Sequence, residues 1–594
     1  EVLGTTVSMI NPLWKVANLS TFYGKMKNRD LTNNFQLNIH IMEGLMFKGQ
    51  LGLRRTDGRT DNFKDPADPV YDVTPADQKG ELSRQENDNW SWNGKMMFYY
   101  NHVFGNHFIN ATAGGEISES KTESLSYVLN GFQLGNMHEP QFAATQARPV
   151  NVSESKTRKI GFLASVNYAY NDIYLFDGSF RLDGSSDFGS DKQFAPFWSV
   201  GAGLNVHNYD FLKGHWLISR LKLRASYGST GNVGFAPYSA ITTFQTATDA
   251  WFFTGPAASL MALGNSRLTW QTTYKLDAGF NIGLLNDKIT LEGSYYRNET
   301  EDLIDDVKIP AYSGFTSYKE NSGATLNEGF EVALTSTLFQ NKDWMVTFMA
   351  NLSSNRSKIT ELSEEMNAYN ETILAEYEKE DSKYKDVLSR PLILYYEGKS
   401  LSAIYAVRSE GIDPANGRER FVKKNGMSTY TWDANDQVVV GDTEPDAKGS
   451  FGINVAWKGI TLNAYFNYQW GGQSYNSTLA EKVENAQIST QNVDKRVLSA
   501  RWKNAGDVVP YYDLSKNPTQ NPTSRFVQDD NRLDFTSLSI GYDFSRQLIS
   551  KWKLKSLSVQ FSANDLCKWR SVKEERAINY PFARSFNFSL NVGF

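Results

Sequence analysis

The run Phe162-Leu-Ala-Ser-Val-Asn-Tyr-Ala-Tyr170-Asn-Asp-Ile-Tyr174-Leu-Phe-Asp-Gly-Ser-Phe180-Arg-Leu182 alternates in character along much of its length. Phe162, Ala164, Val166, Tyr168 and Tyr170 fall on one face of an extended chain, and Ser165 and Asn167 on the other. After Asn171-Asp172, the residues Tyr174, Phe176, Gly178, Phe180 and Leu182 alternate with Asp177, Ser179, Arg181 and Asp183. A period of two is the signature of a strand with two different faces, and Asn-Asp suits a tight hairpin turn. Aromatic side chains on one face, with charged ones directly behind them, predict a strand pair between an apolar and an aqueous phase.

The same pattern recurs outward in both directions. Trp198, Val200, Ala202, Leu204 and Val206 repeat it, as do Leu221, Leu223, Ala225 and Tyr227 against Lys222, Arg224 and Ser226. Tyr274–Leu284 and Ile289–Tyr295 pair around Asn286-Asp287, and Phe451–Trp457 and Leu462–Trp470 around Lys458-Gly459. Short connections near 43–45, 104–106, 171–172, 285–287, 340–343 and 458–459 alternate with long polar ones, chiefly 57–87, 232–268, 361–447 and 474–525. Outer-membrane barrels have this asymmetry, with short periplasmic turns and long extracellular loops. The last strand ends the chain, with Phe586, Phe588, Leu590, Val592 and Phe594 on one face. We take it as a barrel-assembly signal, because an apolar edge of this kind would aggregate in water.

The bulk properties agree. Aromatic residues make up 13% of the chain, yet its mean hydropathy is −0.48. No apolar run reaches the roughly 18 residues of a transmembrane helix. A net charge of −5 argues against a nucleic-acid binder. Cys567 is the only cysteine, so no intrachain disulfide forms, and six scattered His residues lack the spacing of a zinc enzyme. The glycine pieces at 201–203 and 228–231 have no phosphate-loop lysine, and no Ser/His/acid set stands out. The sequence therefore predicts an all-β transmembrane antiparallel barrel without enzymatic chemistry.

We count about seventeen membrane strands between residues 34 and 594, with residues 1–33 as an extracellular loop before the first of them. The strand-like segment Leu401–Ile412 would break the in–out parity, so it is assigned to an extracellular excursion. Single-chain bacterial barrels hold an even number of strands and cannot leave an open edge in lipid. Closure is therefore expected to need an odd number of further strands upstream.

Several stretches resemble the SusC/RagA-type TonB-dependent outer-membrane transporters. Arg181-Leu-Asp-Gly-Ser-Ser-Asp-Phe-Gly189 is similar to their RxDGSSxFG segment, and Leu221-Lys-Leu-Arg-Ala-Ser-Tyr-Gly-Ser-Thr-Gly-Asn232 to LKLRASYGxTGN. Trp270-Gln-Thr-Thr, Phe280-Asn-Ile-Gly-Leu284 and Tyr295-Tyr-Arg-Asn-Glu-Thr-Glu-Asp-Leu303 follow the family's order. Asn327-Glu-Gly-Phe-Glu-Val332 resembles NKGFE, and Tyr580-Pro581 with Arg584-Ser585-Phe586 resembles the closing YPxxRSF. The resemblance implies a barrel of about 22 strands around an N-terminal plug, with the plug and about five strands upstream of this sequence. It implies active import of a large nutrient, an oligosaccharide or a peptide, across the outer membrane of a Gram-negative, Bacteroidota-type bacterium. The implied partners are TonB, acting through the plug, and a SusD-type surface lipoprotein over the loops. A passive porin or a siderophore-type receptor is the alternative. Trp251, Phe252, Phe253, Tyr395 and Tyr396 are the candidate contacts for substrate or lid; the alternative is that they only pack loops together or sit at the membrane interface. Asp433, Asn435, Asp436 and Asp442 stand where family members carry a calcium-like loop, although the glycine that bends such a loop is missing.

Overall fold

The computed structural model describes residues 22–594, apart from 72, 190–191, 236, 254, 263, 309–316, 378, 380–387, 487–494, 514–519 and 574–583. Seventeen strands form a single antiparallel sheet. In chain order they are β1 (Phe22–Met42), β2 (Leu45–Lys64), β3 (Glu81–Phe104), β4 (His107–Asn130), β5 (Thr145–Tyr170), β6 (Tyr174–Ser185), β7 (Phe194–Asn205) and β8 (Ile218–Asn232). They continue with β9 (Gln271–Leu284), β10 (Ile289–Glu301), β11 (Ala324–Gln340), β12 (Trp344–Glu361) and β13 (Ala447–Trp457). The last four are β14 (Ile460–Trp470), β15 (Arg532–Asp543), β16 (Ser556–Arg570) and β17 (Ser585–Gly593). Each strand pairs with the next, and among the described residues no pairing joins β17 back to β1. No described helix is long and apolar enough to cross a membrane.

The tight turns have the backbone that their residues favour. Asn171 and Asp172 sit at φ 53° and 56°, and Lys458 and Gly459 at 47° and 90°. Positive φ at both central residues gives the hairpin the twist of its flanking strands. The apolar face expected from alternation is the one the sheet turns outward. Phe35, Leu37, Ile39, Phe98, Phe162, Phe176, Phe180 and Val200 are all exposed, as are Phe586, Phe588, Leu590, Val592 and Phe594 on the last strand. These side chains have no protein core to enter, so their partner is lipid. The opposite face is polar: Lys95 pairs with Glu116 at 3.0 Å, and Arg181 bridges Glu116 and Asp183.

Some boundaries depart from the sequence reading. β1 begins at Phe22, so residues 22–33 are strand and not part of a loop over 1–33; residues 1–21 lie outside the described residues. Likewise 57–87 is a loop only over 65–80, since β2 runs to Lys64 and β3 starts at Glu81. The physical reason is that both faces are wet above the lipid. Alternation of hydrophobicity stops there, while the backbone ladder continues. At ~3.4 Å per residue, the 24 residues of β3 run roughly 80 Å. A strand tilt of ~40° leaves roughly 60 Å of height, about twice a ~30 Å hydrocarbon core. The outward face of this upper wall carries ion pairs where the lower wall carries aromatics. Arg55 meets Asp57 at 3.0 Å and Asp88 at 2.8 Å, and Arg158 meets Glu119 at 2.6 Å.

Candidate functional site

The long connections beside β12–β15 fold into a domain-like dome. Helix α1 (Glu364–Tyr377) starts at Ser363, whose Oγ accepts from the Met366 N–H at 3.1 Å, and carries Glu364 and Glu365 in its first turn. Carboxylates there complement the helix dipole. Segment Ala403–Ile412 begins with five consecutive buried residues, Ala403 to Val407, so it is covered on both faces. It pairs with Gln437–Asp442 on one side and Glu419–Val422 on the other. The excursion assigned to Leu401–Ile412 is thus the central strand of a small sheet in the dome. Ala480, Val483, Tyr511 and Phe526 form one core, and Leu394, Ala403 and Tyr405 another. Burial pushes the Tyr405 hydroxyl up to about 12.

Buried charge ties the dome together. Arg525 donates from Nε to Glu419 Oε1 at 2.9 Å, and from one terminal nitrogen to Glu419 Oε2 and Glu484 Oε2 at 2.7 Å each. Its other terminal nitrogen donates to the Pro510 carbonyl at 2.6 Å. The side chains of Arg525, Glu419 and Glu484 are only 10%, 12% and 2% exposed. Burial drives the Glu484 carboxyl above the usual carboxylate range, against the pull of Arg525. The two carboxylates hold the Arg525 proton well above the ordinary arginine value, outweighing burial. Arg501 is buried too, but spends its donors on the carbonyls of Val483, Glu484, Val497 and Tyr512. Desolvation lowers its pKa.

Between these elements lies a cavity of about 250 Å³. Glu419, Glu484 and Arg525 line it, with Thr523, Tyr512 and Tyr430. The Arg418 guanidinium lies 4.9 Å over the Tyr430 ring. Gly417, at φ 70°, lets the Pro414–Gly417 turn sit against Trp502, where a Cβ would come 2.5 Å from the indole. The indole N–H donates to the Pro414 carbonyl at 2.8 Å. None of the cavity's charged residues stood out in the sequence. Arg525 is 106 residues from Glu419 and 41 from Glu484, and no periodicity links them.

The residues expected to contact substrate or lid fall on two separate segments of the chain. Tyr395 is fastened to α1, accepting at its carbonyl from Asn370 Nδ2 at 2.6 Å, and its ring lies 5.6 Å from that of Tyr369. Tyr396 lies 5.4 Å from the ring of Tyr405. Phe253 is fully exposed at the tip of a separate hairpin, Thr243–Phe252 with Gly255–Ala262; the side chains of Trp251 and Phe252 lie outside the described residues. The carboxylates around 433–442 serve separate backbone groups, and Asp442 also accepts from the Ser402 hydroxyl at 2.5 Å. Asp433 accepts from the Asn435 N–H, Asp436 from the Lys424 N–H, and Asp442 from the Glu444 N–H, each at 2.9 Å. Among the described residues no three His, Cys, Asp or Glu side chains gather as a metal site requires.

The motif residues do converge, at the barrel mouth. Phe188 stacks on Trp270 at 4.5 Å, Phe197 meets the same indole edge-on at 5.6 Å, and Phe235 closes on Phe188 at 5.1 Å. Gly231 fits beneath, where a Cβ would come 2.1 Å from the Phe197 ring. Three separate stretches, at 181–189, 221–232 and 270–273, thus build one packed cluster. Tyr580 and Pro581 of the last motif lie outside the described residues.

Comparison with known proteins follows the same lines. The chain is 25% identical to TonB-dependent receptor P3 of Formosa agariphila over 94% of its own length and 58% of that protein. It is 25% identical to TonB-dependent receptor SusC of Bacteroides thetaiotaomicron over 61% of its length and 37% of SusC. It thus spans between about a third and three fifths of these two relatives. The RagAB peptide importer in its open-open state superposes with a TM-score of 0.82 at 23% identity, covering 99% of this chain and 63% of that one. At that identity the likeness speaks for the fold. The profile of the family described as TonB dependent receptor-like, beta-barrel, matches residues 6–485, and the chain belongs to this family.

Proposed function

We propose that this chain is the greater part of the barrel wall of a TonB-dependent importer. It would take up a large polar nutrient, an oligosaccharide or a peptide, through the outer membrane beneath a surface lipoprotein of the SusD type. The observation that carries this reading is the pairing of a lipid-facing apolar wall with a polar inner face and a packed dome. A passive pore has no need of a folded dome with its own cores and buried ion pairs, whereas an importer that captures cargo requires shaped walls at its mouth. The likeness in fold to the RagAB peptide importer, and the sequence likeness to a receptor named SusC, both support import. Energy would arrive through TonB acting on a plug within the complete barrel. The aromatic residues Phe253, Tyr395 and Tyr396 would then shape or brace the surface met by cargo and lid. No catalytic step is assigned to the chain.

The test is peptide mapping by mass spectrometry of the complex purified in detergent, together with uptake by cells with and without functional TonB. Co-purification of a surface lipoprotein and loss of uptake without TonB are expected. Uptake that is indifferent to TonB, or solute flux through liposomes carrying the purified protein alone, would overturn the proposal.

A further inference from the structure

The dome cavity has a chemical imbalance. Arg525 is its one buried cation and faces two carboxylates, and its donors are largely spent on Glu419, Glu484 and the Pro510 carbonyl. A carboxylate offers about four lone-pair sites. Glu419 uses two of them on Arg525, while Glu484 uses one on Arg525 and one on the Tyr512 N–H at 3.3 Å. The wall therefore keeps spare acceptors. Thr523 also lines the cavity, is 2% exposed, and its Oγ1 has no hydrogen-bond partner. A buried hydroxyl without a partner is destabilising unless something meets it. The cavity's other cation, Arg418, is exposed and lies over the Tyr430 ring. At about 250 Å³ the space suits one sugar ring or one side chain, not an oligomer.

We propose that this cavity is a binding subsite for the protonated amine of a small polar group, held by Glu419, Glu484 and Thr523 Oγ1. An ammonium has three donors and no acceptor, the complement of this wall. The amine could belong to an amino sugar or to a lysine side chain, which share this chemistry. The inference rests on the importer reading, since it names the cargo group that the dome selects.

The experiment is isothermal titration of the detergent-solubilised protein with four probes. These are glucosamine, N-acetylglucosamine, a terminally blocked Gly-Lys-Gly peptide and the same peptide acetylated on Nζ. At least one free amine is expected to bind, with acetylation weakening it about tenfold or more, as loss of a charged hydrogen bond would. Whichever amine binds tighter identifies the source. Thr523→Val, nearly isosteric, should weaken amine binding about threefold or more while leaving the dome resistant to protease. Glu419→Gln should do so about tenfold where it folds; where it does not, Thr523→Val decides. Equal binding of free and acetylated probes, no saturation by about 10 mM, or an unaffected Thr523→Val variant would overturn the subsite. TonB-dependent uptake is read separately, so an active importer whose cavity is blind to amines would sink this proposal alone.

Discussion

The upper wall of β1–β5 and the dome beside β12–β15 are built on opposite plans. The wall is a continuation of the membrane strands. Its backbone ladder runs unbroken from Leu45↔Tyr100 to Lys64↔Glu81, and its side chains form ion pairs half exposed to water. The dome is made of short strands, helix α1 and turns, and it stands on a few buried side chains: Tyr405, Val483, Phe526, Arg501 and the group around Arg525. Backbone pairing spreads stability over many small contributions, whereas a small core with buried charge concentrates it. The wall should therefore tolerate substitution, and the dome should fail at single positions.

The sharpest break of that contrast is Arg525→Ala. It leaves Glu419 and Glu484 buried together without a cation, which costs about 3–5 kcal/mol. Hydrogen exchange should rise across residues 403–412 and 479–484 while β1–β5 stay protected. Equal protection of both regions would show that the dome does not depend on this brace. Next comes Gly231→Ala at the barrel mouth, where the added methyl must displace the Phe197 ring from Trp270. Overpacking of that kind costs about 1–3 kcal/mol, seen as a lower melting temperature with strand content unchanged.

The third test concerns pH. The folded Glu484 carboxyl titrates above its ordinary value of 4.5, because burial disfavours the anion. The folded dome therefore binds this proton more tightly than the unfolded chain does. The contribution of this group is full below about 4.5 and is lost as pH rises through the raised folded value, by at most about 1.4 kcal/mol per pH unit for one proton. Glu484→Gln should flatten the slope in a proteolysis series, and a slope unchanged in that variant would assign it to another group. The smallest effect is expected in the wall. Arg55→Ala removes pairs whose side chains are 52%, 43% and 44% exposed, and should change stability by less than about 1 kcal/mol. A loss comparable to that of Arg525→Ala would erase the distinction between the two regions.

Legibility in the sequence divides along the same line. All seventeen strands could be found from alternation, and the tight turns at 171–172 and 458–459 from their residues. Both signals are local. Neighbouring side chains of a strand face opposite phases, and lipid sorts each residue on its own account. The strand ends above the membrane were missed, because there water wets both faces and nothing in the pattern changes when the ladder continues. The motif stretches could be recognised, but not that Phe188, Phe197, Gly231 and Trp270 would meet in one cluster. The aromatics Phe253, Tyr395 and Tyr396 are candidate contacts only by their place in loops, and the structure gives the two tyrosines separate packing partners.

By itself, then, the sequence determined a lipid-facing antiparallel sheet, its count of strands and its short turns, since a period of two is written into consecutive residues. Only the tertiary structure decided the dome, its cavity and the group around Arg525. Those partners lie 41 and 106 residues apart along the chain, and a contact between distant loops leaves no periodic mark on either.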